Sequence, residues 1–285
     1  MNTQAPQTLA QAFEQLRSGL EMKATLKTHI NQEQTRCREH LQKKWPGADI
    51  FFSGSYGRST KIEPLNDVDL FVARRDSFPE IGKIPTPGEA LLQELLRHLQ
   101  ELFPGQVRMQ TRSIGITCSG FRMDVVPAFK RNGGGFFLAD RSLPGPHWRF
   151  TDPRKQQQFT ADQDRACGQM ATPLVKMFKR WKAHQHLGLK SFHLEVMVLR
   201  SLSGKPISYP VGAQQVMEKL QYAIQKPCGD PGGSGGKLDD YLTDAQRHQI
   251  AERAQQHAQC LKEALVFDQA KQHAEALQRF RKVFG

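Results

Sequence analysis

Phe52-Ser-Gly-Ser-Tyr-Gly-Arg-Ser-Thr-Lys-Ile-Glu-Pro-Leu-Asn-Asp-Val-Asp-Leu-Phe-Val72 is the stretch from which the fold can be read. Gly54-Ser55 ends an apolar run in a tight turn, a place where backbone N–H groups and a hydroxyl can meet a phosphate. Eleven residues then separate Ser55 from Asp67. Asp67 and Asp69 alternate on a short run of strand character, so both carboxylates point to one face. Two carboxylates side by side repel each other unless a cation sits between them. The flanking Val68, Leu70, Phe71 and Val72 mark the strand as partly buried, which makes an unpaired acidic pair costlier still. The residues leave a second reading open, in which an acidic strand end faces solvent and pairs with nearby Lys or Arg.

Outward from this stretch, the pattern is mixed before it and after it. Upstream, Leu9, Phe13, Leu16 and Leu20, continued by Leu26, Ile30, Cys37, Leu41 and Trp45, predict a helix over 7–45, with Gly19 as a kink and Pro46-Gly47 as its end. Asp49 to Ser53 and Val68 to Ala73 read as strands, joined by the Gly/Ser turn and a charged, Pro64-containing loop. Residues 88–103 form an amphipathic helix. Val107–Cys118 and Phe121–Phe129 read as two strands about a hairpin at Ser119-Gly120, and Phe136–Ala139 as one more after a Gly-rich connection. Helices are expected over 155–169, 172–186, 191–203, 210–225 and 243–283, with a loop over 227–236.

The expected class is therefore α+β. A small sheet-containing lobe, 1–155 with its N-terminal helix, precedes a helical lobe, 156–285. The N-terminal helix is expected to pack across both as a spine, and the cleft between lobes is the default site.

Asp124 supplies a third carboxylate. It lies in Phe121-Arg-Met-Asp-Val-Val-Pro127 among apolar residues, on a strand that a sheet can bring beside Asp67 and Asp69. Three clustered carboxylates suit two hard cations bridged by phosphate oxygens. Arg122 shares the face of Asp124, so a local salt bridge is the competing reading.

Composition narrows the function classes. The 285 residues carry 40 Lys+Arg against 28 Asp+Glu, a surplus of +12, and the sequence pI is near 9.6. That balance favours polyanionic partners such as nucleotides or nucleic acid, with solubilising surface charge as the bland alternative. Five cysteines stand singly, without zinc-knuckle spacing or an even disulfide count. The N-terminal residues lack a basic-then-apolar leader pattern and no apolar run reaches membrane length, so a cytoplasmic protein without membrane association is expected.

These motifs resemble the DNA polymerase β-type nucleotidyltransferases, through Gly54-Ser55, the Asp67-Val-Asp69 pair and the later Asp124. Within that superfamily the chain is similar to the CD-NTases, bacterial relatives of animal cyclic GMP-AMP synthase and oligoadenylate synthase. The narrower likeness rests on Gly-Ser-Tyr-Gly-Arg-Ser-Thr-Lys-Ile before Asp-Val-Asp-Leu, and on Asp124-Val-Val-Pro-Ala. It also rests on Leu174-Val-Lys-Met-Phe-Lys-Arg-Trp-Lys182 and on Lys190-Ser-Phe-His-Leu-Glu195. Weaker agreement comes from Asp230-Pro and the terminal Val-Phe-Gly285.

The resemblance implies a bilobal polymerase β-like fold with a helical lobe like that of oligoadenylate synthase. It makes Asp67, Asp69 and Asp124 both catalytic residues and ligands of two Mg²⁺ ions, for which Mn²⁺ can substitute. Gly54 and Ser55 would bind triphosphate oxygens. Lys176, Lys179, Ser191 and Phe192 would contact nucleotide, with Phe192 standing where relatives often have tyrosine. From the residues alone, the lysines equally form a solvated face, Phe192 a core position and His193 a structural one. Arg58 and Lys61 either touch phosphate or line a loop.

The implied activity joins ribonucleoside triphosphates, ATP among them, into a cyclic di- or trinucleotide with release of pyrophosphate. The implied setting is CBASS anti-phage defence, with an activating protein or nucleic acid upstream and an effector that answers to the product. The alternative is a template-independent RNA nucleotidyltransferase of the poly(A)- or CCA-adding type. A binder with a degenerate site has no need of three costly carboxylates.

Overall fold

The computed structural model describes residues 7–63, 67–77, 88–142 and 148–285. The leader reading of the first six residues and the Pro64 part of the linker lie outside them. The chain divides into two compact units. One comprises Met22–Gln157 with Gly232–Ser234, and the other Met1–Glu21, Gln158–Pro231 and Gly235–Gly285.

The first unit is built on a seven-stranded sheet. Its strands are β1 (Asp49–Phe52), β2 (Val68–Ser77), β3 (Val107–Met109), β4 (Ile114–Cys118), β5 (Phe121–Lys130), β6 (Phe136–Ala139) and β7 (Trp148–Thr151). The order is β1-β2-β5-β4-β3, and β6 pairs with both β5 and β7. All pairings are antiparallel except β2 with β5, which run parallel. A parallel neighbour needs a long crossover, and the chain between β2 and β5 holds α4 (Gly88–Leu102) and the β3–β4 hairpin.

Side-chain alternation sorts the two faces of this sheet. Val68, Leu70, Val72, Met123 and Val125 join a core with Ile30, Cys37 and Leu41 of α2 (Ala24–Lys44) and Leu91, Leu92, Leu95 and Leu99 of α4. The opposite set on β2 and β5, Phe71, Ala73 and Ala128, clusters with Phe51, Phe136 and Leu138. Asp69 and Asp124 belong by parity to this second face, away from α2 and α4.

The expected single strand over Val107–Cys118 is instead a hairpin. Gln110-Thr-Arg-Ser113 is a polar break. It closes through the Gln110 N–H donating to the Ser113 carbonyl at 2.8 Å, which sets Val107 opposite Ile116. Strand β7 went unread, because only four residues carry it, after a Pro/Gly-rich stretch.

The second unit is helical. It holds α1 (Leu9–Gly19), α6 (Ala171–His184), α7 (Ser191–Ser201), α8 (Tyr209–Ala223), α9 (Asp244–Gln269) and α10 (His273–Phe284); α5 (Pro153–Ala166) leads into it. The N-terminal helical pattern is realised as α1 and α2, broken over Leu20–Lys23. The apolar stripe of α1 explains its grouping, since Phe13 stacks edge-on against Phe280 and Phe284 at 5.0 and 5.5 Å. The helix expected over 243–283 is interrupted where Lys271 takes a left-handed φ of 60°. Thr243 starts α9 with a capping box to Gln246. Among the described residues no helix is long and apolar enough to cross a membrane.

Candidate active site

Strand β1 delivers the chain to Ser53, whose N–H donates to the Asp69 carbonyl at 2.8 Å. The backbone then turns through Gly54, at a φ of 58°, into the short helical turn α3 (Gly54–Gly57). Gly54 is required twice. Its backbone lies in the left-handed region, and a Cβ built on it would overlap the Asp69 carboxylate. The Gly-Ser turn is therefore pressed against the acidic strand, which the linear sequence shows only as two motifs at a distance. Ser55 follows, half-buried, and its carbonyl accepts from the Thr60 N–H at 2.9 Å.

Parallel pairing places Asp69 opposite Asp124, and Val68 opposite Met123. Asp67 immediately precedes β2. Each of the three carboxylates offers an oxygen, and these oxygens all lie within 4.8 Å of one another. Asp67 accepts from the Lys61 ammonium at 2.9 Å. Oδ1 of Asp124 accepts from the Gln110 amide at 2.9 Å and pairs with the Arg122 guanidinium at 3.3 Å. The local salt bridge weighed for Arg122 thus exists within the cluster. Arg58, left open by the sequence, is buried and acts electrostatically on Asp69.

The electrostatics show the strain in this arrangement. Burial, then the Asp67 and Asp124 carboxylates, push Asp69 up to about 6, against the opposing pull of Lys61 and Arg58. Asp124 is also raised, by burial first, with Arg122 and Gln110 pulling it down and Asp67 pushing it up. An all-oxygen, multiply anionic donor set is the chemistry a hard divalent cation requires, and a cation there would remove the repulsion. These residues fit a metal ion.

The nucleotide-contact candidates Lys176, Lys179, Ser191 and Phe192 belong to the helical unit. Lys176 pairs with Glu21 at 2.7 Å. Lys179 is locked to Glu195 at 2.6 Å, with both side chains almost fully buried. Ser191 opens α7 and its hydroxyl accepts from the Lys182 ammonium at 2.9 Å, while Phe192 is half-buried. His193 is fully buried, 3.1 Å from the Tyr241 hydroxyl. Burial holds its pKa down at about 4, which suits a neutral structural histidine. Gln110 went unnoticed in the sequence; it lies 14 residues before Asp124 and meets it only through the β3–β4–β5 register.

The sequence pattern of the Second Messenger Oligonucleotide or Dinucleotide Synthetase domain matches residues 8–164. The chain belongs to that family. It is a CD-NTase, a nucleotidyltransferase that makes cyclic oligonucleotides, as its motifs implied. A probable cyclic nucleotide synthase of Bacillus cereus (strain VD146) is 23% identical, over 87% of this chain and 84% of that protein. The cyclic AMP-AMP-AMP synthase of Acinetobacter sp. is also 23% identical, over 93% and 82%. Among solved structures, CdnC of E. coli MS115-1 with ATP superimposes with a TM-score of 0.77 at 18% identity, covering 98% of each chain. E. coli DncV gives 0.74 at 15%, over 95% and 93%. The CD-NTase fold thus extends through both units.

Proposed function

We propose that this CD-NTase condenses ribonucleoside triphosphates, ATP among them, into a cyclic di- or trinucleotide on two Mg²⁺ ions held by Asp67, Asp69 and Asp124. The observation that carries the reading is the parallel register setting Asp69 beside Asp124 with Gly54 packed on the Asp69 carboxylate. Lys61 and Arg122 offset the acidic cluster, yet Asp69 stays raised to about 6.

Magnesium, when bound, would activate the acceptor hydroxyl and stabilise the departing pyrophosphate. The chain's own residues do the rest. Asp67, Asp69 and Asp124 would hold the cations. Asp124, which burial also pushes up, takes the proton of the acceptor 2′- or 3′-hydroxyl. The Gly54 backbone and the Ser55 hydroxyl orient the donor triphosphate. Lys176, Lys179, Ser191 and Phe192 are assigned to the nucleotides, with the helical lobe taken as 156–285 and the catalytic lobe as 1–155. Phe192 offers a stacking face without a hydroxyl.

ATP as a substrate is supported by the CdnC structure with ATP and by the AMP-only product named for the Acinetobacter relative. In this reading the enzyme acts in the cytoplasm in CBASS anti-phage defence, an activating protein or nucleic acid turns it on, and its product acts on an effector. CdnC forms a complex with a HORMA protein, which supports a protein as the activator.

The test is incubation of the purified protein with all four ribonucleoside triphosphates and Mg²⁺ or Mn²⁺, read by mass spectrometry. Asp67→Ala/Asp69→Ala serves as control. A phosphatase-resistant cyclic oligonucleotide from the wild type alone is expected. Linear tails on added RNA would replace this reading with RNA-end addition.

A further inference from the structure

Asp124 is held by a small polar construction that its own motif does not contain. Gln110 is the first residue after β3, and Ser113 the last before β4. Besides the backbone bond that closes their turn, the Ser113 hydroxyl donates to Gln110 Oε1 at 3.0 Å. The other end of the same amide, Nε2, donates to Asp124 Oδ1 at 2.9 Å. An ionised carboxylate only accepts, so Nε2 must face Asp124, and the Ser113 hydroxyl fixes the amide in that orientation. Ser113 is itself buried, and Gln110 is half-buried.

The sheet has left a space for this reach. Gly115 of β4 lies directly opposite Asp124 in the antiparallel register, so a side chain there would rise on the same face as the carboxylate. A Cβ at Gly115 would stand 2.5 Å from Gln110 Nε2 and 3.3 Å from Asp124 Oδ1. The Gln110 amide occupies the volume of the missing side chain, so a Cβ there would make that amide shift. The φ of Gly115 is not in the left-handed region, so the demand comes from space and not from backbone conformation.

The two donors on Asp124 differ in kind. Arg122 is half-exposed at 3.3 Å, a loose contact that also brings a positive charge toward a cation site. Gln110 is neutral, close and braced from behind. Both contacts fall on Oδ1, and Oδ2 carries neither. We propose that Gln110 is a positioning residue for nucleotidyl transfer: braced by Ser113 and admitted by Gly115, it clamps Oδ1 of Asp124 so that Oδ2 is presented to the divalent cation. Partners of this kind behind a metal ligand alter metal affinity or activity about 10- to 100-fold when removed. The proposal rests on the metal-dependent reading above.

The experiment compares wild type, Gln110→Ala, Gly115→Ala and the double variant. Mn²⁺ binding is measured by electron paramagnetic resonance, and cyclic product formation by kcat and KM for ATP. Gln110→Ala is expected to weaken Mn²⁺ binding and lower kcat by about 10-fold or more, with KM for ATP within about 3-fold. Gly115→Ala is expected to reproduce that loss in the wild-type background by displacing the amide. In the Gln110→Ala background it should cost little, because nothing remains to displace. Thermal unfolding of all four without metal identifies any variant that fails to fold. The strongly non-additive cycle carries the inference if Gly115→Ala alone is poorly folded. Mn²⁺ affinity and kcat within about 2-fold of wild type in Gln110→Ala, or additive losses around the cycle, would overturn the inference alone. Mn²⁺ binding by wild type that survives Asp67→Ala/Asp69→Ala would overturn the metal-site reading itself, and the inference with it.

Discussion

The sheet unit and the helical unit both bury charge, but the sheet unit also presses three like charges together. In the helical unit Lys179 and Glu195 form an ion pair at 2.6 Å, at 6% and 1% side-chain exposure, and Lys176 has Glu21. In the sheet unit three carboxylates face one another, with Lys61 against Asp67 and the half-exposed Arg122 against Asp124. Charges balanced by the chain itself hold a fold together. Burial and the neighbouring Asp67 and Asp124 push Asp69 up to about 6, a cost that a cation from outside would relieve. This contrast separates the proposed metal site from candidates that share its polar residue types.

The largest effect expected is on the unbalanced side. Asp67→Ala/Asp69→Ala should lower cyclic product formation on the order of 10⁴-fold, because metal stabilisation of transition-state charge amounts to several kcal/mol. The fold should survive, since removing two repelling acids relieves strain; product yield and circular dichroism together check both halves. A variant that loses activity by unfolding would break the comparison.

On the balanced side the consequence is for stability. Lys179→Met should destabilise the protein by about 3–5 kcal/mol, the usual result of leaving a buried charge without its partner. Lys179→Met/Glu195→Leu should recover most of the loss in urea unfolding. If the double variant remained as unstable as the single one, the pair would not be what Lys179 contributes.

Next in size is the pH response of Asp69. Its folded-state pKa of about 6 lies above the ordinary carboxylate value, so the ionised form weakens the metal-free protein. That stability is fully present below about pH 4 and is lost as pH rises through about 6. Asp69→Asn should therefore be more stable than wild type by about 2–3 kcal/mol at pH 7.5 in chelator, and the two should converge near pH 4. Added Mg²⁺ should raise the melting temperature of wild type and leave the variant unmoved. Equal pH profiles would show that burial and the neighbouring acids do not act on Asp69 as the geometry requires.

The smallest effect should come from Lys176→Met. Lys176 is nearly buried but its partner Glu21 is 37% exposed, so solvent can take up the remaining charge and the loss should be about 1 kcal/mol. That makes Lys176 a clean probe of the nucleotide assignment. A rise in KM for ATP with unchanged melting would sharpen it, whereas an unchanged KM would withdraw it.

How far the site was legible follows from which interactions are local. Asp67 and Asp69 share a strand face by period alone, and Gly-Ser before them announced the turn. The strand carrying Asp124 could be picked out by its apolar surroundings. Its parallel alignment to β2 could not, because a crossover of this length leaves register undetermined until the helices pack. Gln110 was invisible for the same reason, and misreading Val107–Cys118 as one strand hid the turn that aims it. The break between α9 and α10 was missed because Ala- and Gln-rich sequence keeps helical propensity across it.

The sequence by itself determined the class, the secondary structure of most segments and the identity of the three acids, since helix and strand periods and short motifs are properties of neighbouring residues. Tertiary structure alone decided that Asp69 stands opposite Asp124, that Gly54 must lack a side chain, and that Gln110 reaches across Gly115. It also decided which lysine is spent on a buried ion pair. Each of these depends on strands or helices far apart in the chain being brought within a few ångströms, where sterics and unscreened charge act together.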